Sequence, residues 1–219
     1  MKSQETKRRG SSLWRPRPPR DVTPRIFPDT ERKAKGEYAF IMKTMTNPVF
    51  TKVDTSQFDA VAGMYERAVE KLERTVNYPK WSKYHPSREY VAEAIRRGEQ
   101  FACVDGGRIL GAVVLNESPE GKYELGGWSR DLREGEYLVL HILAVDPEYE
   151  RLGVGGFMVD GSIAFAKAKG YKAVRLDIVP ENLPAAELYV SRGFVSAGRI
   201  DRLRDIEGIP VFEIFELNF

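Results

Sequence analysis

Residues 137–156 read YLVLHILAVDPEYERLGVGG, an apolar run that breaks at Asp146-Pro147 and passes through a glycine-rich turn into a helical pattern. The run from Tyr137 to Val145 is apolar on both faces except at His141, which predicts a strand in the middle of a sheet. The turn after it leaves main-chain N–H groups unpaired at the positive end of a helix dipole, a combination that grips phosphate. The helix carries Val154, Phe157, Met158, Gly161, Ala164, Phe165 and Ala168 on one stripe and stops at Gly170, after Lys167 and Lys169. That stripe packs it on the sheet. A strand over 172–179 follows, parallel to the first because a helix makes the crossover.

Upstream, Phe58, Val61, Tyr65, Ala68 and Leu72 recur at helical spacing, predicting a helix over 56–74 with Ser56 and Asp59 as a capping-box pair. A second helix starts at Ser87, after Pro86, and ends at Gly98. Gln100–Val104 and Arg108–Leu115 are strands joined by Asp105-Gly106-Gly107, a hairpin signal. Residues 116–136 form a polar connection longer than a compact domain keeps without a use for it. Downstream, Asn182 caps a short helix holding Ala186 and Tyr189 that ends at Gly193, and Phe194–Arg199 pairs with Val211–Leu217. The fold class is α/β (α+β): a mixed, largely antiparallel central sheet with flanking helices.

Composition separates the chain into two parts. Residues 1–36 carry 11 Lys/Arg against 4 Asp/Glu and five prolines, while the remainder carries 23 against 28. A basic, proline-rich segment over 1–46 buries too little apolar surface to offset its ordering entropy, so disorder is expected there. It is either an arm for an anionic surface or a plain extension, with Met42 or Met45 as alternative starts. Nucleic acid is not an expected partner on this tail alone. No run nears the roughly 18 apolar residues of a membrane span, and no apolar signal core stands at the N-terminus, so a cytoplasmic, non-membrane protein is expected. Cys103 is the only cysteine and reads as a small buried hydrophobe.

The order helix, helix, strand, strand, strand, glycine turn, helix, strand, short helix, strand, strand over residues 50–219 resembles the GNAT (GCN5-related N-acetyltransferase) superfamily. The resemblance is carried by LAVDPEYERLGVGG and by Asn182 and Tyr189 followed by Arg192-Gly193-Phe194. It implies acetyl-CoA as co-substrate, with Arg151, Leu152, Gly153, Val154, Gly155 and Gly156 along the pyrophosphate and Asn182 as a further contact. Gly153 and Gly155 allow the backbone to approach a phosphate closely. Leu143, Ala144 and Val145 are implied to meet the pantetheine arm through their backbone, on a strand that bulges and splays from its neighbour. Glu150 stands where the family's loop usually has Gln or Arg, and a carboxylate pointing inward there would repel a pyrophosphate.

The resemblance also implies that Tyr189 protonates the departing thiolate and that an amine attacks the thioester directly. Only about 0.1% of an alkyl amine with pKa about 10.4 is neutral at pH 7, so the amine needs a base. His141 and Glu136 are the candidates, with a water chain as the other option. Tyr78, Trp81 and Tyr84 between the first two helices, and Trp128 in the long connection beside Tyr123, are candidate walls for a small-molecule or peptide amine; packing is their other reading. Relatives in this superfamily often dimerise. No metal cluster is expected. Two rivals stand beside this one. A dinucleotide-binding oxidoreductase would use Gly153, Gly155 and Asp177, but Met158 occupies the third glycine position. A non-catalytic acyl-CoA-binding module would keep the fold without transfer.

Overall fold

A computed structural model describes residues 45–219. The disorder expected over 1–46 falls outside these residues except at its end. There Thr46 is anchored, donating through its N and Oγ1 to the Asp105 carboxylate at 2.7 and 3.0 Å.

Strands β1 (Val49–Lys52), β2 (Gln100–Asp105), β3 (Arg108–Asn116), β4 (Tyr137–Val145), β5 (Ala173–Ile178), β6 (Val195–Ile206) and β7 (Ile209–Asn218) form one sheet in the order β1-β2-β3-β4-β5-β7-β6. Every neighbouring pair is antiparallel except β4 and β5. This is the mixed sheet the sequence predicts. The single parallel pair removes the doubly wound sheet that a dinucleotide fold requires.

Helices α1 (Phe58–Arg74), α2 (Arg88–Arg97), α3 (Val154–Lys169) and α4 (Leu183–Val190) cover the sheet. Leu138, Leu140, Val174 and Leu176 pack on one face against Val154, Met158 and Tyr189. On the other face, Val61, Tyr65 and Val91 cover Ala112 and Ala144, while Tyr123 in the long connection covers Tyr137, Val139 and Ile214. The connection thus does the work of a missing helix over the second half of the sheet. Cys103 is buried, and desolvation pushes its thiol up to about 11.

Local signals hold in most places. Gly106 and Gly107 both have positive φ, 56° and 77°, as a two-residue hairpin turn requires. Ser87 caps α2, and Gly98 ends it at φ 69°. The first cap is a correction. Asp54 and Gln57, not Ser56 and Asp59, make the reciprocal pair, with Asp54 Oδ1 accepting from Ser56 N at 2.7 Å and Gln57 Oε1 accepting from Asp54 N at 3.2 Å. A short 3₁₀ turn over Thr55–Gln57 moves the start of the α-helix to Phe58 and shifts the cap. The last two strands are also longer than expected. Polar residues on β6 hid its length, because most of that strand is exposed.

Candidate active site

β4 is distorted at the centre of the quoted stretch. Ala112 faces Ala144 and Val114 faces His141, so Val113 on β3 stands opposite two residues of β4. That is a β-bulge. Within it Ile142 has φ 43°, a strained conformation for a β-branched residue, of order 1–3 kcal/mol. On its other edge β4 pairs with β5 only from Tyr137–Val139 to Ala173–Arg175. Beyond that point the two strands part. No residue of β4 after Val139 is in register with β5.

The parted strands lead into the glycine turn. Arg151 and Gly153, at φ 61° and 84°, swing the chain from β4 into α3. Ser87 caps α2 and Asn182 caps α4 with their side chains, but α3 starts at Gly153 with no side-chain cap and no acidic residue in its first turn. Its leading N–H groups are therefore open to an anion. A Cβ on Gly155 would come no closer than 3.4 Å to Leu188 and 3.7 Å to Val145, so the protein itself does not require glycine there. At Gly156 it would meet Arg192 Nη2 at 1.8 Å. Arg192 is a flexible side chain that can move aside from Gly156, and Gly155 leaves space in front of the open helix start. This space and these donors fit a pyrophosphate.

Glu150 is engaged by α1. Lys71 ion-pairs with Glu150, and Arg67, one turn earlier, holds Asp146 through Nε at 3.1 Å and Nη2 at 2.5 Å. Two of the turn's three carboxylates, Asp146 and Glu150, are tied to a basic edge of α1. Arg151 is exposed and Leu152 half-buried. Leu143 and Val145 point into the α3 side of the core and Ala144 into the α1 side, leaving backbone as the feature exposed to the gap. Asn182 is the N-cap of α4, accepting from Ala185 N at 3.4 Å. Tyr189 is buried on the same helix, next to the Leu188 that flanks Gly155, and burial raises its pKa above the ordinary tyrosine value.

His141 lies on the opposite face, buried at the bulge. Asn116 Oδ1 accepts from Ser118 N at 3.1 Å and stands 3.0 Å from His141 Nε2, while Asn116 Nδ2 donates to Glu99 at 3.2 Å. An amide oxygen only accepts, so His141 Nε2 donates a hydrogen to Asn116, and a bond between the ring and the Ser118 backbone further favours the protonated form. Desolvation holds the imidazole pKa below 6.5, opposed by the nearby carboxylates of Glu120 and Asp177. Glu136 is elsewhere. It precedes β4, nine residues or about 30 Å of extended chain from Val145, and it accepts from Arg133 N at 2.8 Å and ion-pairs with Lys172. Lys172 holds its pKa below the usual carboxylate value.

The aromatic candidates do not converge. Trp81 is half-buried against Tyr65 and His85, with ring centroids at 6.4 and 5.9 Å. Tyr78 and Tyr84 are exposed on the same loop. Trp128 belongs to a different cluster, packed on Tyr123 and on the Arg175 guanidinium 4.2 Å away. Sequence reasoning named Tyr123 only as an aromatic of the long connection and missed the rest of the polar group beside His141: Glu120, Tyr90, His85 and Arg204. Asp177, the dinucleotide rival's ribose ligand, accepts from Tyr123 Oη at 2.6 Å and pairs with Arg204. The length of the 116–136 connection was the one available signal.

A sheet that parts beside an uncapped, glycine-started helix defines a fold that holds an extended phosphate-bearing ligand between strand and helix. The family model for the acetyltransferase (GNAT) family matches residues 65–194, more than half of the chain. The chain belongs to that family, which uses acetyl-CoA. It is 27% identical over 165 residues to an uncharacterized N-acetyltransferase of Methanocaldococcus jannaschii; the match covers 74% of this chain and 66% of that relative's length, short of two thirds. Among solved structures, a GNAT-family acetyltransferase from Streptococcus agalactiae has a TM-score of 0.62 at 14% identity, covering 78% of this chain and 95% of that one. An acetyltransferase from Salmonella typhimurium, determined with its cofactor acetyl-CoA, has a TM-score of 0.59 at 15% identity, with coverage of 79% and 94%. Identities this low speak for the fold alone. Among the described residues no helix is long and apolar enough to cross a membrane, and no group of side chains could hold a metal.

Proposed function

We propose that this protein is an N-acetyltransferase that moves the acetyl group of acetyl-CoA to a primary amine of a small molecule or peptide by direct attack. The observation that carries it is the gap between β4 and β5, bulged at Ile142 and continuous with the open N-terminus of α3. Acetyl-CoA supplies the thioester. The first-turn N–H groups of α3, at Val154, Gly155 and Gly156, take the pyrophosphate, with Arg151 and Asn182 at its edges. A main-chain N–H among Leu143, Ala144 and Val145 polarises the thioester carbonyl, being in place before charge develops on its oxygen. The amine nitrogen forms the new bond to the carbonyl carbon, the carbon–sulfur bond breaks, and the amine's proton leaves. Tyr189, kept protonated by burial, returns a proton to the thiolate.

His141 is the proposed base in preference to Glu136, which is engaged by Lys172 at the far end of β4. Burial favours the neutral imidazole, the form that can accept a proton. The sign follows: kcat/KM rises with pH through a pKa below 6.5 and then levels off. His141→Gln is expected to lower kcat/KM about 100-fold and erase that acid limb. A variant that retains the limb removes His141 from the role. The reading as a whole is tested by calorimetry with acetyl-CoA and by release of free thiol across an amine panel. No binding at millimolar acetyl-CoA rejects it. Binding without thiol release from any amine leaves the non-catalytic module.

A further inference from the structure

Glu120 lies in the long connection, yet the chain on either side of it is tied to strands. Before it, Ser118 N donates to Asn116 at 3.1 Å. After it, Gly121 has φ 90° and sits so close to β6 that a Cβ would lie 2.0 Å from Leu203 O, and Lys122 N donates to that same carbonyl at 3.0 Å. A loop residue is held here with the precision of a strand residue, as a binding group requires.

The carboxylate itself is loosely held. It is 44% exposed, with Oε1 3.3 Å from Tyr90 Oη and Oε2 3.4 Å from Arg204 Nη1. Asp177 takes the firmer share of Arg204. Only 7% exposed, it receives both terminal guanidinium nitrogens, Nη1 at 3.3 Å and Nη2 closer, together with the Tyr123 hydroxyl. The other groups near Glu120 are His85 and His141. The His85 ring stands edge-on to Trp81 and Tyr90, and desolvation holds both histidines below 6.5, so neither is a cation at neutral pH. With Glu99, which accepts from Asn116 and acts on Tyr90, the surroundings hold three carboxylates against one guanidinium, and Glu120 is the one that Arg204 compensates least. That carboxylate adjoins the imidazole proposed to take the amine's proton.

Resting on the acetyl-transfer reading above, we infer that Glu120 anchors the acceptor's ammonium and that the acceptor is an alkylammonium with no carboxylate on the carbon bearing the amine. An ammonium at Glu120 replaces two long contacts with a charge-assisted hydrogen bond. An α-carboxylate carried in beside it would face Glu120 and Asp177, and the one cation of the cluster is already engaged by Asp177. A free alkylamine and a lysine side chain share the required chemistry. An amino acid's α-amine does not.

The test measures thiol release with matched acceptors: phenethylamine against phenylalanine, tyramine against tyrosine, and a lysine peptide with a blocked N-terminus. Each amine lacking the α-carboxylate should exceed its amino-acid counterpart in kcat/KM by about 100-fold, the factor that one close like-charge contact imposes. The peptide arm distinguishes a protein-borne lysine from a free amine. Glu120→Gln should raise the acceptor KM about 30- to 100-fold while the acetyl-CoA Kd stays unchanged, which also reports a folded variant. Glu124→Gln, an exposed carboxylate in the same loop, should alter neither. A Glu120→Gln KM within threefold of the parent overturns the inference, as does preference for the amino-acid partner. So does acetyl-CoA binding with no amine turned over. Failure to bind acetyl-CoA at all overturns the acetyl-transfer reading, and this one with it.

Discussion

Gly155→Asp should lower acetyl-CoA affinity about 100-fold while leaving the protein at least as stable as the parent. The two effects have opposite signs because they act on one charge in two settings. In the free protein, Asp at the second position of α3 supplies the acidic first-turn residue that the helix lacks, worth about 0.3–1 kcal/mol against its dipole. It also replaces a glycine inside a helix, a further few tenths of a kcal/mol. The steric demand is small, since the new Cβ meets Leu188 at 3.4 Å, the end of a flexible side chain. With pyrophosphate in place, the same carboxylate faces another anion about 5 Å away, costing about 3 kcal/mol at an effective dielectric near 20. Calorimetry and thermal melting on the same sample read both. Unchanged affinity would show that the ligand's phosphates lie elsewhere; a large loss of Tm would show that Gly155 is a packing glycine after all.

The comparison with Gly153 shows how far sequence could resolve this turn. Gly153 and Gly155 read alike in LGVGG. In the structure, Gly153 answers a left-handed φ, whereas Gly155 has no φ demand and no backbone atom close to where its Cβ would stand. The elements themselves were legible because their signals are local: the stripe on α3, the Gly106-Gly107 turn, the Ser87 cap and the crossover that makes β4 and β5 parallel. What stayed hidden depends on partners distant in sequence. β1 is four residues long and gains its meaning only from pairing with β2. Glu150 looked repulsive because Lys71, 79 residues away, is not a local neighbour. Glu120 looked like an ordinary loop carboxylate because its fixing point is Leu203 on β6. Ile142 carries the bulge in its backbone conformation, which no side-chain pattern records.

The 116–136 connection behaves as a structural layer, and the largest stability effect is expected where it is fastened. Arg175 and Glu216, on adjacent strands β5 and β7, have side chains only 3% and 2% exposed, with Nε and Oε2 4.0 Å apart and neither atom hydrogen-bonded. The guanidinium lies 4.2 Å from the ring centroids of both Trp128 and Tyr137 and donates to Arg130 O at 2.9 Å; Glu216 Oε1 accepts from Ser129 N at 2.7 Å. Each partner of the pair therefore also holds the connection. Arg175→Met keeps much of the packing volume between the two rings but leaves Glu216 as a buried charge with a single donor, which should cost about 3–5 kcal/mol. That is a large part of the roughly 5–15 kcal/mol that holds a typical domain together. Glu216→Gln in the same background keeps an acceptor for Ser129 N and removes the charge, so the double variant should recover about 2 kcal/mol or more. Chemical denaturation of the four proteins gives the coupling directly. A cost below about 1 kcal/mol for Arg175→Met would mean that the aromatic sandwich, rather than the ion pair, sustains this region. Because Arg130 O loses its strand-side donor and the acceptor of Ser129 N is left as an uncompensated charge, proteolysis near them should accelerate in the single variant and slow again in the double.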